Sequence, residues 1–172
     1  SETLATPPLE PADRQWLLMR KNQTSDGRIE WAFLVQLGDI DVVSDLGVFG
    51  NRGPYTGREL AFVGGIGSAA GRDKWVVVSN LSIDDNDWHH VSVASDPVRS
   101  EVRFELDGVV DRVLFSRPPT NPNSHDFVVG GHSNESGGWN QGVRGFYDEI
   151  RIRRGIVPLD EMLDVPYVAT AD

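Results

Sequence analysis

The chain contains no cysteine, which excludes disulfides and thiolate metal sites. Lysine is nearly absent: Lys21 and Lys74 are the only two. No apolar run approaches the roughly 18–20 residues that a membrane helix needs. The opening stretch, SETLATPPLEP, has neither the basic nor the apolar segment of a signal peptide and reads as a linker. Positive charge is in short supply, with 16 Lys and Arg against 26 Asp and Glu for a net charge of −10. That balance argues against nucleic acid and against an anionic membrane surface as partners. It is compatible with cations or neutral polymers, and equally with solubility alone. Three catalytic signatures are also missing: the G-x-S-x-G elbow, the P-loop and H-E-x-x-H. The glycines of GGIGSAAG (64–71) lack the strand–helix setting of a phosphate loop and read as a turn.

What is present is enough for one domain with a real core: 172 residues, of which 39% are hydrophobic and 24% charged. The boundaries read as a tail at 1–13, a domain at 14–165 and a second tail at 166–172. Strand signals dominate. RIEWAFLVQLG alternates, placing Ile29, Trp31, Phe33, Val35 and Leu37 on one face. DIDVVSDLGVFG is a weaker run, followed by ELAFVGGIG, KWVVVSNLSI and WHHVSVAS. In EVRFELDG, Val102, Phe104 and Leu106 face one way, and Asp107-Gly108 marks a hairpin because both residues tolerate positive φ. DFVVGG and GFYDEIRIRR complete the set, and only PLDEMLDV (158–165) looks helical. Short strands separated by glycine-rich loops predict an all-β sandwich of two antiparallel sheets.

Four motifs in a fixed order carry a family resemblance: DNDWHHVSVASD, RFELDGVV, FVVGGHSN and RGFYDEIRIRRGIVPLDEM. Together they span residues 85–162 and resemble the laminin-G-like, or concanavalin A-like, jelly-roll superfamily. LLMRKNQTSDGRIEWAFLVQLGDI resembles the family's earlier stretch less closely. One or two strands usually precede that stretch in the family, whereas here a proline-containing tail does. Open sheet edges are a pairing hazard, so a neighbouring domain or a second copy is expected to cover an edge. The resemblance implies a jelly roll and a recognition module of a larger extracellular, cell-surface or periplasmic protein, with a carbohydrate or an adjacent domain as partner.

Asp148 poses the main question. In RGFYDEIRIRRG (144–155) it shares the apolar face of Phe146, Ile150 and Ile152. A core-facing carboxylate costs several kcal/mol unless it is paired. An arginine, backbone N–H donors or a hard cation would each serve. In the resembled family this aspartate often helps to hold a structural calcium with backbone carbonyls and an N-terminal acid, for which Asp13 and Glu10 are the candidates. Calcium wants six to eight oxygens at ~2.3–2.6 Å, more than one carboxylate supplies.

Asp84, Asp85, Asn86 and Asp87 precede a strand and read as a solvated turn, without the EF-hand spacing. His89 and His90 are adjacent, point to opposite faces and so do not chelate one ion together. His90 shares its face with Trp88 and is expected to pack. The jelly roll also hosts glycoside hydrolases, whose paired carboxylates lie on one strand face ~5–5.5 Å apart. Asp39 and Asp41 have the i, i+2 spacing, but Asp45 is displaced and the glutamates of that template are absent, so an exposed edge and turn is the simpler reading. Sugar recognition pairs an aromatic platform with a few placed polar groups. Trp139 with His132, Asn134 and Asn140 offers that, as does Tyr55 with Arg52. These loops, or the exposed face of a concave sheet, are the expected binding surface.

Overall fold

The structure is a computed structural model and describes residues 15–21, 29–36, 48–65, 74–85, 87–115, 127–133, 139–140, 145–153 and 155. The described residues are all-β, in two main sheets and one small ladder. None of them forms a helix long and apolar enough to cross a membrane.

The larger sheet has six strands. β1 (Gln15–Lys21), β2 (Ile29–Gln36), β4 (Glu59–Gly65) and β5 (Lys74–Ser82) are antiparallel neighbours in its centre. β3 (Val48–Gly50) joins β5 in parallel at one margin, and β9 (Phe127–Val129) joins β1 at the other. The second sheet is an antiparallel meander of β6 (Val91–Asp96), β7 (Glu101–Leu106) and β8 (Val109–Leu114). β10 (His132–Ser133) and β11 (Trp139–Asn140) pair separately.

The two sheets bury a core between them, built from Phe33, Val35, Leu60, Phe62, Trp75 and Val77 on one side and Val102, Phe104, Val113 and Phe115 on the other. Trp75 is its centre, stacked on Phe115 at 4.6 Å and tilted against Phe62 at 5.7 Å. β4 passes under that indole at Gly64, where a Cβ would lie 2.1 Å from the ring, so only glycine fits. A polar tie adds to the core: Asp111 on β8 accepts hydrogen bonds from the Ser79 hydroxyl (2.8 Å) and the Asn80 N–H (2.7 Å) on β5.

The opposite face of the larger sheet is buried too, through Ala32, Leu34, Ala61, Val63, Val76, Val78 and Val128. The exposed concave face expected as a binding surface is therefore not present there. The reason lies in the strands themselves. LAFV and WVVV are unbroken apolar runs, the pattern of strands covered on both sides, whereas a one-sided strand alternates.

The closing segment also departs from expectation. Residues 145–153 form no strand, and Phe146 is 80% exposed. Glu149 takes a φ of 28°, which breaks the pleat and with it the two-residue alternation. The segment is anchored instead through Tyr147, whose hydroxyl donates to the Leu17 carbonyl at 3.2 Å. Burial pushes that phenol up to about 12. Asp148 is exposed, and its Oδ1 accepts the N–H of Glu149 at 3.0 Å. Its charge stays in water, so no core partner is required. The expected helix at 158–165 lies outside the described residues.

Candidate recognition site

Two loops meet at one end of the sandwich: residues 51–58, between β3 and β4, and residues 83–90, between β5 and β6. They are joined by the Ile83 N–H donating to the Arg58 carbonyl (3.1 Å) and by Arg58 Nη1 donating to the Asp84 carbonyl (2.7 Å).

The first loop is organised by Glu59. Its carboxylate is buried and accepts the N–H groups of Thr56 (2.6 Å), Gly57 (3.0 Å) and Arg58 (3.1 Å), together with the Thr56 hydroxyl (3.0 Å). Asn51 continues the frame, accepting the Gly53 N–H through Oδ1 (2.9 Å) and the Tyr55 hydroxyl through its carbonyl (2.8 Å). Tyr55 is half-buried against the second core cluster, so its ring braces the loop from inside. Arg52 is exposed beside it.

The second loop is organised by His89. Its Nδ1 lies 2.7 Å from Asp107 Oδ2 in the β7–β8 turn, and its Nε2 lies 2.7 Å from Asp85 Oδ1 in its own loop. Asp107 also accepts the His90 N–H (2.8 Å), and Asp85 accepts the Asp87 N–H (2.9 Å) in a local Asx-type turn. The hydrogen bond to Asp107, then that to Asp85, raises the His89 imidazole above its ordinary value against a smaller opposing effect of burial. Asp107 is lowered chiefly by His89, and Asp85 chiefly by the Asp87 N–H and then by His89. As the imidazolium, with an N–H toward each carboxylate, His89 has no lone pair to act as a base or to ligate a metal.

This arrangement presents Trp88, which is 69% exposed. His90 is exposed as well, its Nδ1 3.4 Å from Oε1 of the fully buried Glu105. Glu105 also accepts the Ser92 hydroxyl (2.9 Å) and the Gly108 N–H (3.0 Å). The packed His90 expected from the sequence is thus replaced by one on the outer side. The sequence did carry a signal for this. Val91 and Val93 on β6 pack into the core, so the even positions Trp88, His90 and Ser92 belong to the outer side.

No family model, no curated protein and no solved structure matches the chain.

The β10–β11 ladder places His132 opposite Asn140 and Ser133 opposite Trp139, while Asn134 lies outside the described residues. Asp39, Asp41 and Asp45, and the candidate calcium ligands Glu10 and Asp13, lie outside them as well. Among the described residues no group of three or more His, Cys, Asp or Glu is placed to hold a metal.

Proposed function

We propose that the chain is a non-catalytic recognition module of a larger extracellular protein, that its ligand is an oligosaccharide, and that its two sheets form a jelly roll. The supporting observation is Trp88. A large indole held in water on a fastened loop has its face free to stack on a ligand. Its flat face suits the C–H face of a sugar ring, and the neighbouring His90, Asp85 and Asp87 supply hydrogen-bonding groups for hydroxyls. Because the loop is already braced, little ordering cost falls on binding. Arg52, on the adjoining loop, and the Trp139 region are the next candidates for contact.

A glycan array tests this directly. The wild-type chain binds at least one neutral glycan class, and Trp88→Ala loses that binding without a change in melting temperature. A blank array with and without calcium, or equal binding by Trp88→Ala, would overturn the reading. Hydrolysis of a β-glucan that is lost in Asp41→Asn would replace it with an enzyme.

A second reading has its own support. Phe146, Ile150 and Ile152 are exposed on the segment 145–153, which favours packing on a neighbouring domain of the same chain. Tight binding to that domain, abolished by Phe146→Ser, would select it.

A further inference from the structure

We propose that His89 is a proton-operated clasp on the Trp88 loop, closed when the imidazole carries both protons and open on the Asp85 side when it carries one. Each ring nitrogen sits 2.7 Å from a carboxylate oxygen, and an ionised carboxylate only accepts. A neutral imidazole has one N–H and one lone pair. Whichever tautomer forms, one of the two contacts becomes a lone pair set against an anionic oxygen. Only the imidazolium satisfies both.

The two contacts lie on different elements, so the ring bridges them. Asp107 belongs to the β7–β8 turn and is fixed independently by the His90 N–H, while its own N–H donates to the His90 carbonyl at 2.9 Å. Asp85 is held, apart from His89, by the Asp87 N–H of its own loop. The neutral ring therefore keeps its N–H on Nδ1, toward the better-fixed Asp107, and lets Asp85 go. That step frees Asp85 and, with it, Asp87 and Trp88.

The surrounding charges favour the closed state. Asp85 faces the ring from its own loop and Asp107 faces it from the turn. Of the charged groups nearby, Asp84 takes the Ser82 hydroxyl (3.2 Å), Asp87 is exposed, and Glu105 is engaged by Ser92, Gly108 and His90. Among the described residues, the Arg58 guanidinium on the adjoining loop is directed at the Asp84 carbonyl. The sign follows from these groups. His89 is raised from its ordinary 6.5, so the clasp is complete below that pH and is lost as pH rises through the raised value. On the acid side Asp85 and Asp107, both lowered from 3.8, hold until the pH falls below the ordinary carboxylate range. If Trp88 is the sugar platform, a consequence resting on the function proposed above, binding weakens toward alkaline pH.

The test needs no glycan, so its failure is separate from failure of the carbohydrate reading. The His89 ring protons and the hydrogen exchange of the Asp87 and Trp88 amides, corrected for intrinsic base catalysis, are followed by NMR from about pH 4 to about pH 10. The ring should titrate above the ordinary histidine value, with amide protection falling through the same midpoint. Asp85→Asn should move that midpoint down, and His89→Gln should flatten the protection profile. A midpoint at or below the ordinary value, or protection that ignores the titration, would overturn the proposal. If His89→Gln fails to fold, Asp85→Asn decides alone, because a midpoint unmoved by the loss of that carboxylate contradicts the bridge.

Discussion

The loops 51–58 and 83–90 touch one another yet are fastened in different ways. In the first, one buried carboxylate, Glu59, accepts four donors from its own loop, three of them backbone N–H groups. In the second, one imidazole stands between two half-exposed carboxylates from different elements. The difference is one of burial and of partner. Backbone donors never titrate, and a buried acceptor cannot trade them for water without loss. A largely covered imidazole between two half-exposed carboxylates is worth less at equilibrium, but it responds to a single proton. The first loop is a fixed brace, and the second presents Trp88 on a fastening that can be undone.

Substitutions sharpen or break that contrast, and the largest effect belongs to the brace. Glu59→Ala leaves three N–H groups without their acceptor and should cost about 3 kcal/mol in urea unfolding. A loss below about 1 kcal/mol would mean that Asn51 and Tyr55 hold the loop without it. Asn51→Ala, which removes the bond to the Gly53 N–H, should cost about 1 kcal/mol by the same measurement. Asp107→Asn keeps a side-chain acceptor for the His90 N–H and suits the positive φ of that position. It should cost less than about 1 kcal/mol at neutral pH while moving the His89 midpoint down. Trp88→Ala comes last, within about 0.5 kcal/mol of wild type, because the indole is already in water. A larger loss there would show that Trp88 supports the fold and is not free for a ligand.

Much of the framework is legible in the sequence, and the residues show why the rest is not. Asp107-Gly108 reads as a hairpin turn, and both residues do take positive φ, 51° and 83° between β7 and β8. The alternation in Ile29–Gln36 and Glu101–Leu106 identifies strands, but burial exceeds it: Ala32, Leu34 and Glu105 are buried on the other face. The unbroken apolar runs of β4 and β5 carry the two-sided burial of the larger sheet, although alternation elsewhere invites a one-sided reading. The segment 145–153 shows the limit of periodicity. Its pattern is as regular as that of β2, but joining a sheet requires a non-local partner, and the positive φ at Glu149 together with the anchoring of Tyr147 sends it elsewhere. The outward direction of Trp88 was recoverable from the parity of Val91 and Val93. The clasp was not, since nothing local in the sequence announces that Asp85 and Asp107 reach the same ring.

The most direct test of the account is to ask which tryptophan a glycan touches. In a 15N spectrum, the indole N–H signal of each tryptophan can be assigned by substitution and followed as the best glycan from the array is added. The account predicts a saturable shift of the Trp88 signal while that of Trp75, stacked in the core, stays in place. A saturable shift confined to other tryptophans, with Trp88 unmoved, would contradict it.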